Sequence, residues 1–195
     1  MRHWLRLARA VDRLNDWIYS VIRWLTLVMI AVGAYNALAR YANRWTDVQL
    51  APNALFDLQW YMFSLIFLLG AAYGLNHDVH VRVDVLYARL SPRVRAWIDL
   101  LGTALFVIPF SIVVLVVSWP AVRNSWAIRE ASSDPGGLAR YPIKTVILVC
   151  FVLLLLQGIA VVIEKIALMR LGEAGMESMT PTDAESAQRE RTEGL

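Results

Sequence analysis

Residues 70–102 read GAAYGLNHDVHVRVDVLYARLSPRVRAWIDLLG, and their reading decides the fold. One apolar run ends at Leu75 and another begins near Trp97. Between them stand His77, Asp78, His80, Arg82, Asp84, Arg89, Arg93 and Arg95, a basic hydrophilic loop between two segments of membrane-spanning length. Short loops rich in Lys and Arg stay on the cytoplasmic side of a bilayer. The stretch therefore predicts a helical hairpin with a cytoplasmic connection.

Outward from that hairpin the composition agrees. The chain has 195 residues, of which 58% are hydrophobic, with eight Trp. Its mean hydropathy of +0.49 lies outside the usual range of a soluble domain. Apolar runs predict four spans, at about 18–39, 55–75, 97–119 and 143–163, within a transmembrane domain covering 18–169. The expected fold is thus an all-α integral membrane protein. An even number of spans puts both termini on one side, and basic residues flanking the spans are more numerous on the side of the 76–96 loop. Both termini are accordingly expected in the cytoplasm. Ala37-Leu38-Ala39 resembles a signal-peptide cleavage site, but the basic region before it is too long and three more spans follow, so an uncleaved span is expected.

Local signals refine this frame. Trp4, Leu7, Val11, Leu14 and Ile18 form one apolar stripe at helical period, with Arg2, Arg6, Arg9, Asp12, Arg13 and Asp16 on the other faces. That pattern predicts an amphipathic interfacial helix over 1–17, with Arg2, Arg6, Arg9 and Arg13 at the lipid surface. Arg23, near the inner end of the first span, is placed to extend to the interface. Pro109 predicts a structural kink in the third span, with helix continuing past Pro120 towards Arg129. Asp134-Pro135-Gly136-Gly137 is strong turn chemistry. After Arg170 the chain becomes polar, acidic and free of aromatics, so 170–195 reads as a disordered acidic tail.

Chemistry is sparse. The single Cys150 lies in an apolar run, so neither a disulfide framework nor a Cys-based nucleophile is expected. No Ser-His-Asp grouping or glycine-rich phosphate loop occurs, and the net charge of +3 sits beside apolar runs, which suits a bilayer surface and not nucleic acid. His77, Asp78, His80 and Asp84 superficially resemble a metal cluster, yet hydrogen bonding between helices or to headgroups is the better account. A haem-binding anchor needs histidines inside the bundle, whereas His3, His77 and His80 fall at or beyond the surface. No cofactor is expected, and the membrane anchor of a redox complex stands as the alternative reading. Asp57, Asp99 and Glu164 lie at span ends, leaving no evident ion-coupling acid of the chain's own.

A subunit that assists another protein remains, and particular motifs carry a resemblance. Asn36-x-x-x-Arg40-Tyr41 at the first exit, LGAAYGLNHDVHVRVDVLYARLS after the second span and SSDPGGLARYPIK before the fourth are present in that order. From about Asp12 to Arg170 the chain resembles the small permease subunit of tripartite ATP-independent periplasmic (TRAP) transporters, the DctQ-type family. The resemblance implies a non-enzymatic, multi-pass subunit in the bacterial inner membrane. It also implies two protein partners, a large permease that holds the substrate and sodium sites and a periplasmic solute-binding protein, together importing organic acids. Asn36, Arg40, Gly70, Ala71 and Gly74 are then expected to face the large permease, and His80, Arg82 and Asp84 to pin the cytoplasmic hairpin. Arg123, Arg129, Glu130 and Arg140 are expected on the periplasmic docking face.

Overall fold

A computed structural model describes residues 2–45, 50–77, 90 and 92–171. Helix α1 is Arg2–Ala42 and α2 is Asn53–Asn76. Helix α3, Pro92–Gly102, runs through a π-helical turn at Thr103–Val107 into α4, Ile108–Ala127. Helix α5 is Tyr141–Leu171. Four helical stretches, His3–Ala42, Asn53–Asn76, Val94–Ala127 and Tyr141–Met169, are long and apolar enough to cross a membrane. Among the described residues the only extended pairing is one bridge between Ala131 and Ala139. Lipid explains the uniformity: it offers no partner to a backbone N–H or C=O, so a crossing segment must close its own hydrogen bonds.

The N-terminal segment does not form a separate interfacial helix. It is continuous with the first span in one helix of 41 residues. The sequence gives no stop signal there, since neither glycine nor proline occurs before Gly33. At 1.5 Å per residue α1 is about 62 Å long, roughly twice a ~30 Å hydrocarbon core. Its apolar stripe faces outward, and Arg6, Arg9 and Arg13 are exposed as well. Trp4 and Leu7 of the apolar stripe are 61% and 58% exposed, whereas Ala8, Asp12, Asn15 and Ile22 are buried. In water the apolar face would turn inward. Beside lipid, polar side chains gain most by turning towards partners inside the bundle.

Helix α5, apolar nearly throughout, packs on α1, α2, α3 and α4, while α1 pairs with α2 as a hairpin. Gly158 lets α5 lie close on the π-helical turn. A Cβ there would stand 3.2 Å from Ile108 Cγ1 and 3.5 Å from Thr103 Cγ2. That turn stands just ahead of Pro109, where the sequence predicts a kink. Proline has no N–H to donate and its ring crowds the carbonyl four residues back. The chain widens one turn, so that Ile108 N–H bonds Thr103 O five residues back, and the helix resumes. Buried Ser111 donates its hydroxyl to Val107 O at 2.7 Å, satisfying a carbonyl in the same region. Pro120 lies inside α4, and the helix runs on to Ala127.

Candidate functional site

Two polar layers cross the bundle. Asn15 and Asn36 mark them on α1, and the 21 residue steps from one to the other span about 32 Å, close to one hydrocarbon thickness. At the end where α1 begins and α5 finishes, Asn15 Nδ2 donates to Gln157 Oε1 (2.6 Å) and Gln157 Nε2 donates to Asp12 Oδ1 (2.8 Å). All three side chains are buried, and Asn15 Oδ1 has no hydrogen-bond partner among the described residues. On the α2 side His77 Nε2 lies 2.8 Å from Asp16 Oδ1. The His77 ring packs on Tyr73, which stacks on Tyr19 with centroids 3.7 Å apart. Lys165 Nζ, 3.1 Å from Asp99 Oδ2, ties α5 to α3. All of these contacts except the His77–Tyr73 packing join two helices, so this layer sets their relative heights.

At the opposite end Asn36 Nδ2 donates to Gln59 Oε1 (3.1 Å), and Arg40 Nε donates to Asn36 Oδ1 (3.3 Å). Gly33 makes room: a Cβ there would stand 2.5 Å from Gln59 Nε2. The loop after α4 is fastened over the start of α2. Leu138 N–H donates to buried Asp57 Oδ2 (2.8 Å), Tyr61 O–H to Ala139 O (3.0 Å), and Asn53 Nδ2 to Pro135 O (3.0 Å). Gly137 lies so close that a Cβ would stand 2.4 Å from both Asp57 Oδ2 and Ser132 Cβ. The turn expected from Asp134-Pro135-Gly136-Gly137 forms, with Gly136 at φ 74° and Gly137 N–H donating to Asp134 O (3.0 Å).

Helix α4 ends with Glu130 N–H bonded to Ser125 O (3.0 Å) and Arg129 N–H to Trp126 O (3.2 Å). That pair of bonds is the Schellman pattern, which requires a left-handed residue and usually takes glycine there. Here Arg129 occupies it, at φ 48°. Glu130 accepts from Lys144 Nζ and from Ser125 Oγ. The hydrogen bond from Lys144, then that from Ser125, holds the Glu130 carboxyl below the ordinary carboxylate range.

The residues singled out from sequence are distributed as follows. Arg123 and Arg129 are exposed, whereas Glu130 is engaged by Lys144 and Arg140 donates from Nη2 to Ser133 Oγ (3.0 Å). Asn36 is buried within the α1–α2 pair, with Arg40 exposed beside it. Gly70 faces Ile22 of α1, 3.8 Å from Ile22 Cδ1 to a built Cβ, and Ala71 and Gly74 are half-buried. Arg6, Arg9 and Arg13 are exposed, and Arg9 Nε and Arg13 Nε donate to carbonyls of Leu5 and Arg9 one turn back. The Arg2 side chain and all of His80, Arg82 and Asp84 lie outside the described residues. Among the described residues no three of His, Cys, Asp and Glu are grouped to hold a metal ion.

Gly33, Gln59, Asn15 and Gln157 were not singled out as site residues. The signal available was polarity in the wrong place, as in FVLLLLQGIA at residues 151–160, where an amide at membrane depth demands a partner. Sequence cannot say which partner.

No curated protein and no solved structure matches the chain. A family model described as Tripartite ATP-independent periplasmic transporters, DctQ component, matches residues 29–168, well over half of the chain, from within the first span almost to the end of the last. Four membrane-length helices, the fastened loop before the last of them and this match lead to one conclusion: the chain belongs to the DctQ family of TRAP transporter components.

Proposed function

We propose that this subunit scaffolds a large permease in the bacterial inner membrane and helps dock a periplasmic solute-binding protein, in an importer of organic acids driven by a sodium gradient. One observation carries the scaffolding part. Among the described residues no Asp or Glu lies between the two polar layers on any span, so the chain offers no acid at membrane depth to couple ion and solute movement. Substrate and sodium then belong to the large permease. The loop end of the bundle is the docking side in this reading. Arg123 and Arg129 are its exposed cations, and Arg129 keeps a position whose backbone favours glycine. The termini and the basic connection between α2 and α3 are cytoplasmic in this reading.

Reconstitution in vesicles tests the division of labour. The chain alone should show no gradient-driven uptake of a carboxylate, and uptake should require the large permease and binding protein. Accumulation by the lone chain would overturn the reading. Arg123→Glu with Arg129→Glu should weaken binding-protein affinity by roughly three- to tenfold at low salt and flatten its salt dependence. Unchanged affinity would remove the docking role.

A further inference from the structure

Two cavities meet on the α1–α2 face near the loop end. One is an apolar groove of ≈ 640 Å³ walled by Met29, Ile30, Ala34, Trp60 and Phe63. The other, ≈ 520 Å³, has Asn36, Arg40, Asn53 and Asp134 in its wall. Gly33, Phe56 and Gln59 line both, so they form one slot with an apolar arm along the span and a polar arm at its end. We propose that this slot holds a single phospholipid with an amine-bearing headgroup, an acyl chain in the apolar arm, its phosphate on Arg40 and its amine facing Asp134.

Charge complementarity selects this occupant. Arg40 is anchored through Nε to Asn36 Oδ1 at 3.3 Å, and its guanidinium carbon stands 5.9 Å from the Phe56 ring centroid. Its terminal nitrogens make no hydrogen bond to any described residue, so a braced planar fork is left facing the slot, the geometry that receives a phosphate. Exposed Asp134 lies in the same wall, and a slot lined by one cationic and one anionic residue fits a zwitterion. An apolar helix from a partner protein would instead bury both charges without counterparts, which is costly. Position agrees as well. Arg40 lies in the last turn of α1, at headgroup level, while Trp60 and Phe63 open the apolar arm towards lipid.

The test uses the full-length chain, delipidated in detergent and followed by native mass spectrometry. The probes are phosphatidylethanolamine, phosphatidylglycerol and diacylglycerol with identical acyl chains. One phosphatidylethanolamine should bind per chain, roughly tenfold more tightly than diacylglycerol, and Arg40→Gln should abolish that tenfold. Asp134→Asn should erase the preference over phosphatidylglycerol. Ala34→Trp, at an exposed wall position, should block every lipid while circular dichroism shows the helices intact. Equal affinity for the three lipids, or unchanged binding in Arg40→Gln and Ala34→Trp, would overturn the proposal. So would full cross-linking of Ala34→Cys to the large permease in a complex that retains no lipid, because protein would then fill the slot.

Discussion

Replacing Gln157 with leucine should be among the most damaging single changes inside this membrane domain. The substitution removes two interhelical hydrogen bonds, of 2.6 Å to Asn15 and 2.8 Å to Asp12. Bonds between transmembrane helices average about 0.6 kcal/mol and reach about 1.7 kcal/mol, so their direct loss is about 1–3 kcal/mol. The Asn15 amide is then left buried without an acceptor, which adds about 1–3 kcal/mol. Leucine recovers part of this through packing, leaving an expected net cost of about 2–4 kcal/mol. Unfolding of the full chain in mixed detergent micelles, titrated with dodecyl sulfate, measures it. The double variant Asn15→Leu, Gln157→Leu supplies the decisive comparison. With both partners apolar, no amide is orphaned, and the double variant should be more stable than Gln157→Leu alone, with a coupling of at least about 1 kcal/mol. Strict additivity, or a cost below about 0.5 kcal/mol for Gln157→Leu, would refute the claim that this layer sets the α1–α5 register.

Other consequences are accessible to simple measurements. Gly137→Val should loosen the 128–140 loop, because its side chain would enter space held by Asp57 Oδ2 and Ser132; faster hydrogen exchange at Leu138, whose N–H bonds Asp57, reports it. Gly158→Leu should part α5 from the π-helical turn and lower stability by about 1–3 kcal/mol, the usual cost of overpacking. For Glu130 the folded carboxyl titrates below its ordinary 4.5, so its stabilising effect is fully present above that value and is lost as pH falls through the folded pKa. Fluorescence of Trp126, whose Nε1 donates to Thr145 (2.8 Å), should therefore hold steady from neutrality to about pH 5 and change only in stronger acid, a transition that Glu130→Gln removes. A cysteine at exposed Ser133 should react with a membrane-impermeant maleimide added to the periplasmic side of intact cells; labelling only after lysis would reverse the orientation.

The number of spans and the turn at 134–137 were legible in the sequence because each depends on local composition. Of the basic stretch read as a loop over 76–96, residues 78–89 and 91 lie outside the described residues, and 92–96 belong to α3. Apolar run length sets whether a segment crosses lipid, and a Pro-Gly-Gly run sets where the chain can reverse. The candidate site was legible only in part. Arg123 and Arg129 are exposed as a reading of loop charges suggests, but Glu130 and Arg140 from the same cluster are taken up by Lys144 and Ser133.

What the sequence determined, then, was an all-helical membrane subunit and the family motifs that identify it. What only tertiary structure decided was direction and partnership. The Trp4–Ile18 stripe marks a helix, but the stripe gives no sign of which side faces inward, since lipid accepts an apolar face as readily as a protein core does. Asp12 and Asn15 turn inward because Gln157, more than 140 residues away, is there to receive them. The same holds for Gln59 over Gly33 and for the π-helical turn ahead of Pro109: each depends on which atoms stand opposite, a fact that no local pattern encodes.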